Sequence, residues 1–149
     1  MALERPEART RSARIKELIQ ENRTGITPQS LLALENTLNE TWTKYGICFV
    51  ITGTHILQRL AREEHGESPI TLKELKRIFT EFTRKYAWYF AGLPTNRDYY
   101  GVIREHFSHL NVGFVLRPGV GISGYDRDLM LQTILRKPNF FTKNKIYDV

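Results

Sequence analysis

The apolar residues of this chain change their repeat part-way along, and that change limits the folds open to it. Leu72, Leu75, Ile78, Phe79 and Phe82 recur at three- and four-residue intervals, the period of a helix with one buried face. Leu110, Val112, Phe114 and Leu116 instead alternate with Asn111, Gly113, Val115 and Arg117, the period of a strand. A second alternating run covers residues 126–137. It sets Leu129, Leu131, Thr133 and Leu135 on one side and Met130, Gln132, Ile134 and Arg136 on the other. The glycine-rich loop at 118–124 lets the two runs form an antiparallel hairpin. The pattern predicts an α+β fold, with N-terminal helices packed on a small antiparallel sheet. At 149 residues the chain is long enough for one domain with a real core and short for two.

Three earlier segments supply the helices. Thr27-Pro28 is an N-cap followed by proline at the first helical position, and Leu31, Leu32, Leu34, Leu38 and Trp42 give that helix a broad apolar side. Thr71-Leu-Lys-Glu74 is a capping box, with Ile70 and Leu75 as a hydrophobic staple, opening a helix expected to reach about Tyr86. Residues 1–24 carry six Arg and Lys interleaved with Glu and only a narrow stripe of Ile15, Leu18 and Ile19. They read as a flexible basic arm or a marginal helix outside a 25–149 core. Gly46 stops the Thr27 helix, and residues 47–51 are a short buried strand containing Cys48, the only cysteine, read as a small buried hydrophobe. Trp88 and Phe90 read as core, residues 95–109 as a short helix in preference to a strand, and Phe140 and Phe141 as caps on the core edge.

A net charge of +6 favours polyanionic partners. One cysteine excludes an internal disulfide, no run has the length of a membrane span, and the first residues lack the apolar stretch of a signal peptide; a cytoplasmic protein is expected. His106 and His109 stand three apart without a metalloprotease motif or a cysteine partner, and Ser108 and Ser123 lack a nucleophile-elbow context. Neither a Walker loop nor a dinucleotide fingerprint occurs, so no metal and no cofactor is expected.

The stretch 52–62 is the leading functional candidate. Thr54 is placed to cap a helix whose outer face carries His55, Arg59 and Arg62 at i, i+4 and i+7, one titratable group beside two permanent cations. Cleavage of RNA needs a base for the 2′-hydroxyl, an acid for the 5′-oxygen and a cation for the phosphorane, which such a trio offers. Strand parity adds Arg117, Gln132 and Arg136, with Asn111, on the sheet face opposite the aliphatic one, and Lys137 follows directly.

Residues 54–62, 69–75, 110–116 and 133–140 together resemble the small barnase/colicin/RelE-type ribonuclease superfamily, and more closely uncharacterised tailed-phage proteins of a RegB-like plan. The resemblance implies a barnase/RelE-like fold with the active site on a sheet face. It also implies a histidine as acid or base and arginines on phosphate, which by motif match are His55, Arg59 and Arg136. The second histidine that RegB-like enzymes are expected to use would have to be His65, which falls in a predicted turn. Arg62, Arg117, Gln132 and Lys137 are then the expected nucleic-acid-binding residues, and RNA the expected partner. The alternative is a non-catalytic basic protein of the same fold that binds nucleic acid, or a host protein or complex whose defence it blocks.

Overall fold

The computed structural model describes residues 15, 24–52, 69–119 and 124–149. Helix α1 spans Pro28–Trp42, and its first turn is closed reciprocally: the Thr27 hydroxyl accepts from Ser30 N–H at 2.9 Å and the Ser30 hydroxyl from Thr27 N–H at 2.8 Å. Leu31, Leu34, Leu38 and Trp42 are its buried stripe, whereas Leu32 faces outward, one step off that stripe. A 3₁₀ turn, Thr43–Tyr45, ends on Gly46 at φ 73° and leads into strand β1, Ile47–Val50. Helix α2, Leu72–Ala91, has the Thr71–Glu74 capping box expected of it but runs five residues beyond Tyr86. That extension places Phe90 in the core and Trp88 on the outer surface, against the expectation that both pack inside.

Four strands follow or pair with β1: β2, Tyr99–Glu105; β3, Leu110–Pro118; β4, Arg127–Arg136; and β5, Lys145–Asp148. The sheet order is β1-β4-β3-β2-β5. The predicted β3–β4 hairpin is present and antiparallel, as is β2–β3, but β1 joins β4 and β5 joins β2 in parallel, so the sheet is mixed. Residues 99–105 are therefore a strand, where a short helix was preferred. The α+β class stands, with α1 and α2 on one face of the sheet.

That face holds the core. Ile47, Phe49, Ile103, Leu110, Val112, Phe114, Leu116, Leu129, Leu131 and Ile134 meet the buried residues of α1 and α2 in one cluster. Its centre is aromatic: Trp42, Phe49, Phe79, Phe82, Phe90, Phe114 and Tyr147 have neighbouring ring centroids 5.1–6.1 Å apart. Inside it, Trp42 Nε1 donates to Thr83 Oγ1 at 2.8 Å.

A β-bulge corrects the parity assigned to β4. Gly113 pairs with Thr133 but Phe114 with Leu131, so Gln132 is an extra residue in the ladder. Beyond it the faces exchange. Thr133 is exposed where a satisfied core hydroxyl was expected, Ile134 is buried, and Arg136 turns from the open face to the helix side.

Gly101 lies between β3 and β5 under the contact of Phe114 with Tyr147. A Cβ there would stand 2.6 Å from Phe114 Cζ and 2.7 Å from Tyr147 Cε2. Gly101→Ala is expected to cost about 1–3 kcal/mol through overpacking, read as a lowered urea midpoint at unchanged slope. A wild-type midpoint would show that the rings yield freely.

Candidate functional site

At the end of the sheet where β2, β3 and β4 meet, Arg104, Glu105, His106, His109, Asn111, Lys137, Asn139 and Phe140 line a small solvent-open cleft of about 70 Å³. Local conformation puts the histidines there. Glu105 pairs with Leu110 across the hairpin, leaving a four-residue turn, 106–109, closed by His109 N–H donating to the His106 carbonyl at 3.3 Å. His109 sits at φ 59° and Asn139 at φ 54°, and these are residue types that tolerate the left-handed region better than most. His106, His109, Lys137 and Asn139 are all exposed.

The turn is gripped from both sides of the sheet. On the open face Asn111, only 3% exposed, donates through Nδ2 to the carbonyls of His109 at 3.1 Å, Lys137 at 3.0 Å and Leu135 at 3.3 Å. Carbonyls accept, so the NH₂ end of the amide faces them, its two hydrogens shared among the three, and this fixes the orientation of the side chain. Lys137 N–H adds a bond to the His109 carbonyl at 2.8 Å. On the helix side Arg136 donates to the Ser108 carbonyl at 2.8 Å, to the Pro69 carbonyl at 3.0 Å and to both Glu74 oxygens at 3.0 and 2.7 Å. The histidine turn thus has its backbone held in place while its imidazoles face solvent.

Electrostatically the cleft is cationic with one shared anion. Arg104 donates to both Asp148 oxygens, at 2.9 and 3.3 Å, and His106 Nε2 lies 3.2 Å from Asp148 Oδ1. The Glu105 carboxylate turns to the helix side, where Arg77 takes it in a bidentate pair. Lys137 has no comparable carboxylate in its ion-pair geometry among the described residues.

Of the residues chosen from sequence, Lys137 lies in the cleft. Arg136 lies beneath it, spent on Glu74 and two carbonyls, so its part there is to position the turn and its guanidinium does not face the cleft as expected. Arg117 is at the opposite end of β3, opposite Asp128, and Gln132 is exposed on the bulge; neither reaches this site. His55, Arg59, Arg62 and His65 lie outside the described residues. Arg104, His106 and His109 carry no sequence motif that marks them for this site. Reading 95–109 as a helix hid the turn, although a histidine pair directly before a strand is the available signal. Cys48 is half-buried, and burial, then the carboxylates of Asp128 and Glu35, push its thiol up, away from reactivity.

No set of three or more metal-ligating side chains converges among the described residues, and no described helix is long and apolar enough to cross a membrane. No family model, no curated protein and no solved structure matches this chain.

The Glu74–Arg136 pair has side chains 17% and 15% exposed, so removing one partner strands a buried charge: Arg136→Met is expected to destabilise by about 3 kcal/mol. Burial raises the Glu74 pKa, but the Arg136 guanidinium and the Thr71 amide and hydroxyl outweigh it and hold the carboxyl below its usual value of 4.5. A depressed folded pKa gives stability that is complete above the unfolded value and lost as pH falls through the folded one. Melting curves from pH 7 to pH 3 should show wild type losing stability below about pH 4.5, with Glu74→Gln less stable at pH 7 and shallower in acid. Equal acid slopes would refute the assignment.

Proposed function

We propose that the cleft binds the phosphodiester backbone of single-stranded RNA and cleaves it, on a barnase/RelE-like α+β plan. His106 and His109 form the acid–base pair, and Lys137 and Arg104 carry the phosphate. One observation supports this above the others: a rigidly held turn presents two imidazoles into an open cleft whose other charged wall is lysine and arginine. Imidazole suits both proton transfers near neutral pH, and the +6 chain attracts a polyanion. Asp148 Oδ1, 3.2 Å from His106 Nε2, orients that ring at the edge of the cleft.

The reaction needs no further group. One imidazole removes the 2′-hydroxyl proton, the 2′-oxygen attacks phosphorus, the bond to the 5′-oxygen breaks, and the other imidazolium protonates that oxygen. The products are a 2′,3′-cyclic phosphate and a 5′-hydroxyl. A second reading, binding without cleavage, draws on the sharing of Asp148 by Arg104 and His106, which already satisfies part of the cationic wall.

Purified protein incubated with single-stranded RNA in EDTA is expected to yield cyclic-phosphate ends, reduced at least a hundred-fold in His106→Ala and in His109→Ala. Retained, salt-sensitive binding without cyclic-phosphate ends would select the binding-only reading. Cleavage abolished by His55→Ala but unchanged in both cleft variants would move the chemistry to the 52–62 stretch and overturn the assignment made here.

A further inference from the structure

The outer face of α2 is the strongest feature the cleft leaves unexplained. Lys73, Arg77, Arg84 and Trp88 fall on one stripe at four- and seven-residue intervals, flanked by Lys76 and Lys85; Glu81 beside them pairs with Arg84 at 2.6 Å, Arg77 pairs with Glu105, and Glu74 is held by Arg136, so the lysines are the cations of the stripe outside these pairs. At the end of that stripe Trp88 is 66% exposed, and its Nε1 donates to the Lys85 carbonyl at 3.1 Å, which holds the indole in one orientation. Toward the other end, the Arg77 guanidinium lies 4.6 Å over the ring of Phe107, which is itself 75% exposed and adjoins His106 in the turn. The stripe and the cleft therefore meet at Phe107.

We propose that α2 is the continuation of the RNA path: a single strand leaving the cleft stacks a base on Phe107, lays its phosphates along the lysines and arginines of the helix, and stacks another base on Trp88. The assignment rests on the RNA reading of the cleft. Cations give sequence-independent backbone attraction, and aromatic faces fixed beside them accept any base, the combination that single-strand binders use. The distance from Arg77 to Trp88 along the helix is about 16 Å, so only an oligonucleotide several units longer than the cleft can engage both rings.

The chain has two tryptophans, and Trp42 is fully buried, so quenching of exposed tryptophan fluorescence reports on Trp88. The probes are 2′-O-methyl RNAs, which lack the attacking hydroxyl and stay intact: a trinucleotide and a twelve-nucleotide strand, with polyglutamate of twelve residues as a purely acidic control. The long strand is expected to quench Trp88 and bind at least ten-fold more tightly than the short one. Trp88→Ala should lose about ten-fold for the long strand alone. Arg84→Gln with Lys85→Gln should lower its logarithmic salt slope by about 1.4, the short strand being unaffected. All three side chains project to solvent, and a wild-type melting temperature in each variant confirms an intact fold.

A long strand that binds without quenching, with affinity unchanged in the variants, overturns the α2 path while leaving the cleft reading in place. Absence of binding by either RNA overturns both. Polyglutamate quenching Trp88 as strongly as RNA shows a surface that reads charge alone and overturns the base-stacking assignment.

Discussion

Glu74 and Arg136 hold the architecture at the point where helix, sheet and cleft meet. One carboxylate closes the first turn of α2, accepting from Thr71 N–H, and receives the guanidinium of the last residue of β4. That same guanidinium reaches the Pro69 carbonyl before the helix and the Ser108 carbonyl in the histidine turn. At the other end of the pair of elements, Arg127, the first residue of β4, donates to the Ala91 and Leu93 carbonyls at the close of α2. Strand and helix are thus pinned end to end by two arginines of one strand: Arg127 takes carbonyls at the C-terminus of α2, which a helix end leaves open, and Arg136 takes the Glu74 carboxylate in its first turn. The aromatic core fixes how far apart the layers sit, and the arginines fix their relative slide.

This arrangement separates the fixed backbone of the turn from its exposed side chains. The carbonyls of Ser108, His109, Leu135 and Lys137 are consumed in holding the turn, through Arg136 and Asn111, so the backbone around the cleft has little freedom left. The imidazoles, Lys137 and Phe107 carry no such duties and project outward. Backbone fixed in this way holds the exposed side chains at set positions without further ordering. Asp148 tempers the positive field by bridging Arg104 and His106, both on the face away from the helices.

The helices were legible because their signals are local. A capping box, a proline at the first position and a glycine stop are decided within four residues, and all three stand where the pattern put them. The alternation of β3 was equally plain, since every second residue enters one continuous core. What escaped was non-local. The bulge at Gln132 depends on Gly113 across the ladder, where a Cβ would stand 2.4 Å from Thr133 Oγ1, and it carried Arg136 to the other face. β2 read as a helix because Tyr99, Val102, Ile103 and His106 carry three- and four-residue spacing, while Gly101, the residue that lets Phe114 meet Tyr147, has meaning only in the sheet. β5 has four residues and two apolar side chains, too few to announce a strand. Of the candidate cleft, the sequence pattern names Lys137 through its position after β4, whereas the spacing of His106 and His109 suggests only a metal motif.

Asn39 supplies a last consequence. Its side chain accepts from Phe49 N–H at 2.7 Å and donates to the Phe49 carbonyl at 2.9 Å, and Glu35 takes the N–H groups of Ile51 and Thr52. β1 is a border strand, so these are the groups a neighbouring molecule would need in order to extend the ladder. With an amide and a carboxylate of α1 occupying these groups, that border is a poorer template for chain-to-chain polymerisation, which helps guard an apolar, strongly β-forming segment against self-association at high concentration.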